Sequence, residues 1–303
     1  LLTATYLVSD FAFSYGGPFS GFLYFFELPV DAANFEFQVS HFGIRRFQSL
    51  ALASMGFFFF LLLCYNMREF VGRKAAWLLP TAIGVLLAGL MSGHRVVLVT
   101  TGIVLLFCIY TQRFFTVRNQ LLAAAVIIPS FIFLYAMADR MPLAAQRAVA
   151  FMPGIPIDNQ ARADAAATMS TRQTMWRIGI DMIPDYFWVG RGFARYLDEY
   201  SFAFDPTGIL MHINQGVFYN GLVGLMVNTG IFGTLSMLLF MIGGTRLCWR
   251  IIQYLRRNGC EDPFARACSV TTGIWMGSML SFLFLHGDSE YAMKTFSLQA
   301  GVL

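Results

Sequence analysis

Charge is scarce in this chain. Asp, Glu, Lys and Arg make up 13% of its 303 residues, against about 25% in an ordinary soluble domain. That shortage removes the usual water-facing surface and argues against a soluble globular class. Histidine is rarer still, with 4 in all, so each one is worth weighing as an acid–base group. The cysteines number 5 (Cys64, Cys108, Cys248, Cys260 and Cys268), and an odd count suggests no disulfide framework. There is no P-loop, no pair of zinc-spaced cysteines and no G-x-S-x-G elbow, which removes several soluble enzyme classes. The chain starts at Leu1 rather than Met and ends in "TFSLQAGVL". It reads as a piece of a longer protein, and no signal peptide is visible.

What the chain has instead is apolar length, with 57% hydrophobic residues. A spanning helix needs about 20 mostly apolar residues. Residues 47–67 fit. Residues 75–110 are too long for one span, reaching about 54 Å at about 1.5 Å per residue against a hydrocarbon core of about 30 Å. They divide into 75–91 and 96–110 at a bend, Ser92-Gly93-His94-Arg95, because Gly and Ser are turn residues. Further spans are expected over 121–137, 217–244 and 269–285. Residues 1–8 read as the tail of another helix, and "YGGPFSGFLYFF" as a loop with a short interfacial or re-entrant piece. Residues 138–211 are polar, with alternating helix and turn signals.

The expectation is an all-α polytopic membrane protein. It has an N-terminal transmembrane part (1–137), an outward loop domain (138–216), in the periplasm or at the cell exterior, and a C-terminal transmembrane part (217–303). Arg68, Arg73 and Lys74, then Arg113 and Arg118, then Arg246, Arg250, Arg256, Arg257 and Arg266 fall on one side if the spans alternate. The positive-inside rule makes that side cytoplasmic. All five cysteines fall toward the same side, away from an oxidising compartment. The bend and the long polar segment then face outward.

Positive charge on that outer side is the anomaly. The polar segment holds Arg140, Arg147, Arg162, Arg172, Arg177, Arg191 and Arg195. Long loops are weakly constrained by the orientation rule, so a solvated surface is the bland reading for each. Arg95 differs because it sits in a tight bend between apolar helices. A guanidinium there suits a planar anion such as phosphate, or it snorkels to lipid headgroups. In "STRQTMWRIGIDMIPDYFWVGRGFARY", Ser170 or Thr171 can cap a helix running to about Ile183, with Pro184 after its end. Arg172 and Trp176 would share one face of it. Gly190 and Gly192 in "VGRGF" read as a structural turn. His212 stands at the outer mouth of the fifth span. It is a candidate general base or a plain interfacial histidine. Tyr219, seven residues on, would face nearly the same way if one helix included both. Asp288 and Glu290 read as ordinary loop acids.

Taken in order, these stretches resemble the O-antigen ligase and O-antigen polymerase superfamily of bacterial inner-membrane glycosyltransferases. The resembling motifs are Ser92-Gly93-His94-Arg95, then Arg172 with Trp176, then Pro184 with Gly190-Arg191-Gly192-Phe193, and finally Asn228-Thr229-Gly230-Ile231-Phe232-Gly233. They cover roughly residues 50–285. The resemblance implies a C-type glycosyltransferase-like helical bundle with a long helical periplasmic loop. It implies an undecaprenyl-diphosphate-linked glycan donor and a lipid A core or other glycan acceptor. It also implies that Arg95 and Arg172, with His94 as an added donor, hold the diphosphate. The family's activating histidine and the asparagine after it fall on Tyr219 and Asn220, one heptad after His212. Either His212 serves as the base or Tyr219 occupies that site.

A glycosyl diphosphate carries a good leaving group, so the site must supply charge stabilisation and a base for the incoming hydroxyl. Two arginines supply the first without a metal or other cofactor, and no outward D-x-D pair is present. The expectation is therefore a metal-independent transferase of lipopolysaccharide biosynthesis in the inner membrane, with a periplasmic active side. It has membrane lipids around it and no nucleic-acid partner. Ligase, polymerase and protein O-glycosyltransferase all stay open, with ligase favoured. A membrane transporter is the alternative of a different class. It would need ionisable residues inside the spans and internal repeats, and neither is seen.

Overall fold

A computed structural model describes residues 44, 46–72, 74–114, 116–193, 209–285 and 289–302. The expectations for 1–8, for "YGGPFSGFLYFF", and for Arg73, Arg195 and Asp288 lie outside the described residues. Every element among those described is helical, with no strand. In chain order they are α1 (Gln48–Cys64), α2 (Met67–Val71), α3 (Ala75–Met91), α4 (Arg95–Thr111), α5 (Val117–Met137), a 3-10 turn (Ala138–Arg140) and α6 (Leu143–Val149). Then follow α7 (Asn159–Tyr186), α8 (Ile209–Asn214), α9 (Gly221–Asn258), α10 (Pro263–Leu280), a π-helical turn (Ser281–Leu285) and α11 (Ser289–Val302).

The apolar segments become helices because they are rich in Leu, Ala, Phe and Met and poor in competing polar side chains. Two helices, Gly221–Asn258 and Pro263–Phe284, are long and apolar enough to cross a membrane, while Leu50–Cys64, Ala75–Met91 and Arg95–Thr111 are apolar but shorter. α10 packs chiefly on α4, and α1 on α3. Phe58, Leu62, Leu78, Val104 and Val270 bury one core between these four helices. A second core joins α9, α10 and α11 through Met237, Met241, Trp275 and Phe296. The polar segment is tied to both sides: α6 packs on α3, and α7 on α6 and α9.

Several helix limits differ from the sequence expectation: α1 ends at Cys64 rather than 67, α5 starts at Val117 rather than 121, α10 starts at Pro263 rather than 269, and two further helices differ more. The helix expected from Ser170 or Thr171 to Ile183 is in fact α7, which begins at Asn159 behind the Asp158 cap and runs through Pro184 to Tyr186. Thr171 does not cap; its hydroxyl donates to the Ala167 carbonyl one turn back, at 3.1 Å, a satisfied mid-helix arrangement for threonine. Pro184 lies within the last turn, where little helix remains for its missing N–H to disrupt. The helix expected over 217–244 starts later and ends later, at Gly221 and Asn258. Asn220 caps its start, accepting from the Leu222 and Val223 N–H groups at 3.1 and 3.2 Å. No strong breaker follows Gly244 until Gly259, which has φ 91°.

Candidate functional site

The bend is held from both sides. Ser92 is buried, and its carbonyl accepts from the Phe47 N–H at 3.0 Å. The Ser92 hydroxyl donates to the Gly89 carbonyl and accepts from the His94 N–H at 3.2 Å. His94 is the N-cap residue of α4, and Arg95 is its first helical residue. From the other side, Arg147 of α6 donates to the Gly93 carbonyl at 2.8 Å. Arg147 also ion-pairs with Asp164 of α7 through its Nε and donates to Thr168 Oγ1 at 3.0 Å. Arg147 and Asp164 are 4% and 0% exposed, so this is a buried clasp between bend and loop helix.

Positive charge gathers on that clasp. Arg46 lies 3.8 Å from the same Asp164 carboxylate and donates to Thr168 at 3.3 Å. Arg95 is within electrostatic range of Arg147, Arg172 and Asp164, and its buried Nε has no hydrogen-bond partner among the described residues. Burial and the neighbouring Arg147 push the Arg46 guanidinium down to about 10, against the pull of Asp164. Burial also lowers Arg172, with Tyr219 opposing and Arg147 adding to the effect. Arg46, Arg95 and Arg172 stay charged at neutral pH all the same. Arg46, Arg95 and Arg147 therefore share the Asp164 carboxylate, with Arg172 close by, so positive charge is in excess in a half-buried space. Arg140, Arg162 and Arg177 are exposed, so the bland reading holds for them.

Of this group, sequence reasoning singled out Arg95 and Arg172 and missed Arg46 and Asp164 as site residues. Asp164 had a signal. It falls with Ala161 and Ala165 on one buried stripe of α7, where an acid is out of place. Arg46 had none.

His212 and Tyr219 do meet, though not by the expected route. One continuous helix does not carry both; α8 ends at Asn214 and α9 starts at Gly221. The connecting turn brings them together instead, with Tyr219 Oη 2.5 Å from His212 Nε2. Tyr219 has φ 54°, unusual for a non-glycine residue and a sign of constraint at a site. The Arg172 guanidinium lies over the Tyr219 ring, 5.6 Å from its centroid. This contact links the phenol–imidazole pair to the arginine cluster. Trp176 shares the inner side of α7, and its buried indole N–H has no partner among the described residues.

The two glycine motifs explain each other. At Gly230 (φ 64°, ψ −169°) α9 kinks, so the Val227 and Asn228 carbonyls lose their helical donors. The Arg191 and Gly192 N–H groups replace them at 2.8 and 2.9 Å, and the Ile231 N–H donates back to the Phe187 carbonyl at 2.7 Å. A Cβ on Gly190 would sit 2.5 Å from the Asn228 backbone, and one on Gly230 2.5 Å from the Trp188 carbonyl. The "VGRGF" turn is thus a structural plug in the kink. Asn228 is buried there, donating to the Gly216 carbonyl at 3.0 Å and to Ser289 Oγ at 2.8 Å. Gly233 sits one turn on, packed against the Thr229 side chain.

No curated protein and no solved structure gives a significant match to this chain. The family model described as O-antigen ligase matches residues 80–238. That region contains the bend, the clasp, the His212–Tyr219 pair and the glycine interlock, and it is more than half of the 303 residues. The chain therefore belongs to the O-antigen ligase family, within the ligase and polymerase superfamily.

Proposed function

We propose that this protein transfers a glycan from an undecaprenyl-diphosphate carrier to an acceptor hydroxyl at the periplasmic face of the bacterial inner membrane. Family membership implies glycan transfer of the ligase or polymerase type. One observation carries the finer reading: Arg46, Arg95 and Arg147 gather about one buried carboxylate, and Arg172 adjoins them as a further cation. Such a cluster is costly by itself and suits a multiply charged anion. Bidentate guanidinium contacts suit phosphate oxygens. Arg95 and Arg172 are assigned to the donor diphosphate, with His94 beside them. Arg95 also opens a helix, where the macrodipole disfavours a cation and favours an anion.

In this reading the acceptor hydroxyl attacks the anomeric carbon. The bond to the phosphate oxygen breaks with inversion, and its electron pair leaves with the diphosphate. The arginines stabilise that charge as it develops, so the transfer is metal-independent. His212 is assigned as general base, with Tyr219 in the position the family gives to histidine. Trp176, Asn220, Gly190, Gly192, Gly230 and Gly233 hold the frame. Lipid A core is the favoured acceptor; another carrier-linked repeat or a protein hydroxyl is the alternative. A multi-pass arrangement is supported by the apolar helices and by large apolar side chains on their outer faces, such as Phe60 (55% exposed), Leu106 (60%) and Leu239 (68%).

The test is a gel of lipopolysaccharide and carrier-linked glycan from a Gram-negative strain lacking its own ligase. Transfer to lipid A core establishes the ligase. Longer chains that stay on the carrier establish the polymerase instead. Arg95→Ala and Arg172→Ala should each reduce transfer by about 100-fold or more, the size of a lost transition-state charge contact. Protein accumulation in the membrane should not change. Loss of accumulation in parallel with transfer would remove the catalytic assignment.

A further inference from the structure

His212 and Tyr219 are treated above as alternatives for one role, but the geometry joins them. Their polar atoms are 2.5 Å apart. The Tyr219 ring lies under Arg172, so the phenol stands between the arginine cluster and the imidazole. We infer that Tyr219 and His212 form a two-proton relay, in which the acceptor hydroxyl meets the Tyr219 oxygen and not His212 directly. This rests on the transferase reading above.

The acceptor oxygen forms its bond to the anomeric carbon, and the carbon–phosphate oxygen bond breaks toward the diphosphate. The acceptor proton passes to Tyr219 Oη as the phenolic proton passes to His212 Nε2. Imidazolium then releases that proton to water. The relay requires the neutral His212 tautomer with its hydrogen on Nδ1, leaving Nε2 to accept. A phenol alone is a poor base near neutral pH because its proton is weakly acidic. Coupling to imidazole removes that difficulty, and the guanidinium over the ring favours the negative charge that gathers there. Tyr219 takes a left-handed backbone (φ 54°) in the turn just before the Asn220 cap of α9. It is the kind of local strain that accompanies function.

The experiment is single-turnover transfer in membranes from the carrier-linked donor. It uses Tyr219→Phe, His212→Gln, the double variant and Tyr219→His, with lipid A core and carrier-linked repeat as parallel acceptors. Tyr219→Phe and His212→Gln should each slow transfer by about 100-fold or more, in the range for a general base. The double variant should be no slower than either single, because both remove one relay. Tyr219→His should recover at least a tenth of the wild-type rate and should tolerate His212→Gln, since the imidazole then meets the acceptor directly. Rates in mixed H2O and D2O should bow for the wild type, with two protons in flight, and run straight for Tyr219→His. Unfolding temperatures of all variants are measured beside the rates, so that a fold defect is recognised by a fallen midpoint. Wild-type transfer with Tyr219→Phe unaffected would overturn the relay and leave His212 as sole base. A straight wild-type isotope plot, or losses that multiply in the double variant, would overturn it as well. No wild-type transfer to either acceptor would remove the transferase reading, and the relay with it.

Discussion

Asp164 and Arg95 are within electrostatic range of each other and should respond to substitution in opposite ways. Asp164 is fully buried and holds both Arg147 and Arg46. Breaking a buried ion pair by removing one partner costs about 3–5 kcal/mol, because the remaining charge is uncompensated. Asp164→Ala should therefore lower the unfolding midpoint in detergent by many degrees, with a large loss of folded protein. Arg95 is placed near like charges and its Nε has no hydrogen-bond partner among the described residues. Arg95→Met should leave the midpoint unchanged or raise it while transfer collapses. That is the signature of a residue kept for function at some expense of stability. A midpoint for Arg95→Met that falls as far as that of Asp164→Ala would make Arg95 a structural residue. The pH dependence follows from Arg46, whose folded-state value is pushed down from the ordinary arginine range to about 10. A cation with a depressed folded value is destabilising while charged. That penalty is present in full below about 10 and is relieved only as pH rises above about 10 toward the ordinary arginine range. Across pH 6–9 this group should add no slope to stability, which a set of midpoints in that range would check.

At the scale of elements, the kink in α9 and the turn after α7 form one unit. Gly190 and Gly230 both have positive φ and both face backbone at 2.5 Å where a Cβ would go. Gly192 has φ 80° but open space around it. Gly190→Ala and Gly230→Ala should each cost at least about 1–3 kcal/mol from conformation and contact together. Gly192→Ala should cost nearer 1 kcal/mol, the left-handed penalty alone. The double variant of Gly190 and Gly230 should cost less than the two singles combined, since either one opens the same interlock. Full additivity in thermal unfolding would show the two glycines to be independent. The same scale shows why helix limits were only partly readable. α3 is found over the residues expected, because apolar composition and a Gly-containing turn mark it locally. The sequence points to a shorter α7, because Ser170, Thr171 and Pro184 carry the usual boundary signals. In place, the Thr171 hydroxyl returns to its own helix and Pro184 falls in the final turn.

For the whole molecule, the cluster of like charges makes ligand binding and stability one problem. An anion that binds only the folded protein stabilises it by about 2.7 kcal/mol at a hundredfold excess over its dissociation constant. Inorganic pyrophosphate should therefore raise the unfolding midpoint of the wild type and have much less effect on the Arg95→Ala/Arg172→Ala double variant. Equal shifts in both would mean that the cluster is not the anion site. The proposed orientation has its own check, in a background without native cysteine. Cysteine at Arg162, exposed on α7, should react with an impermeant reagent in intact spheroplasts. Cysteine at Arg257, in the last turn of α9, should react only after the membrane is opened. The reverse pattern would invert the topology.

The sequence by itself determined the helical class, the apolar segments, the bend at Ser92–Arg95 and the ordered motifs that mark the family. These depend on composition and on spacings within a few residues, which local chain geometry obeys. The tertiary structure alone decided which arginines converge, because Arg46 and Thr168 meet across 122 residues of chain and no local pattern encodes that. It also replaced a supposed helix with a turn between His212 and Tyr219, and it paired the two glycine motifs as a kink and its plug. The arginine cluster and the glycine interlock depend on polar groups finding partners in a segment distant in sequence, a requirement that appears only once the helices are packed.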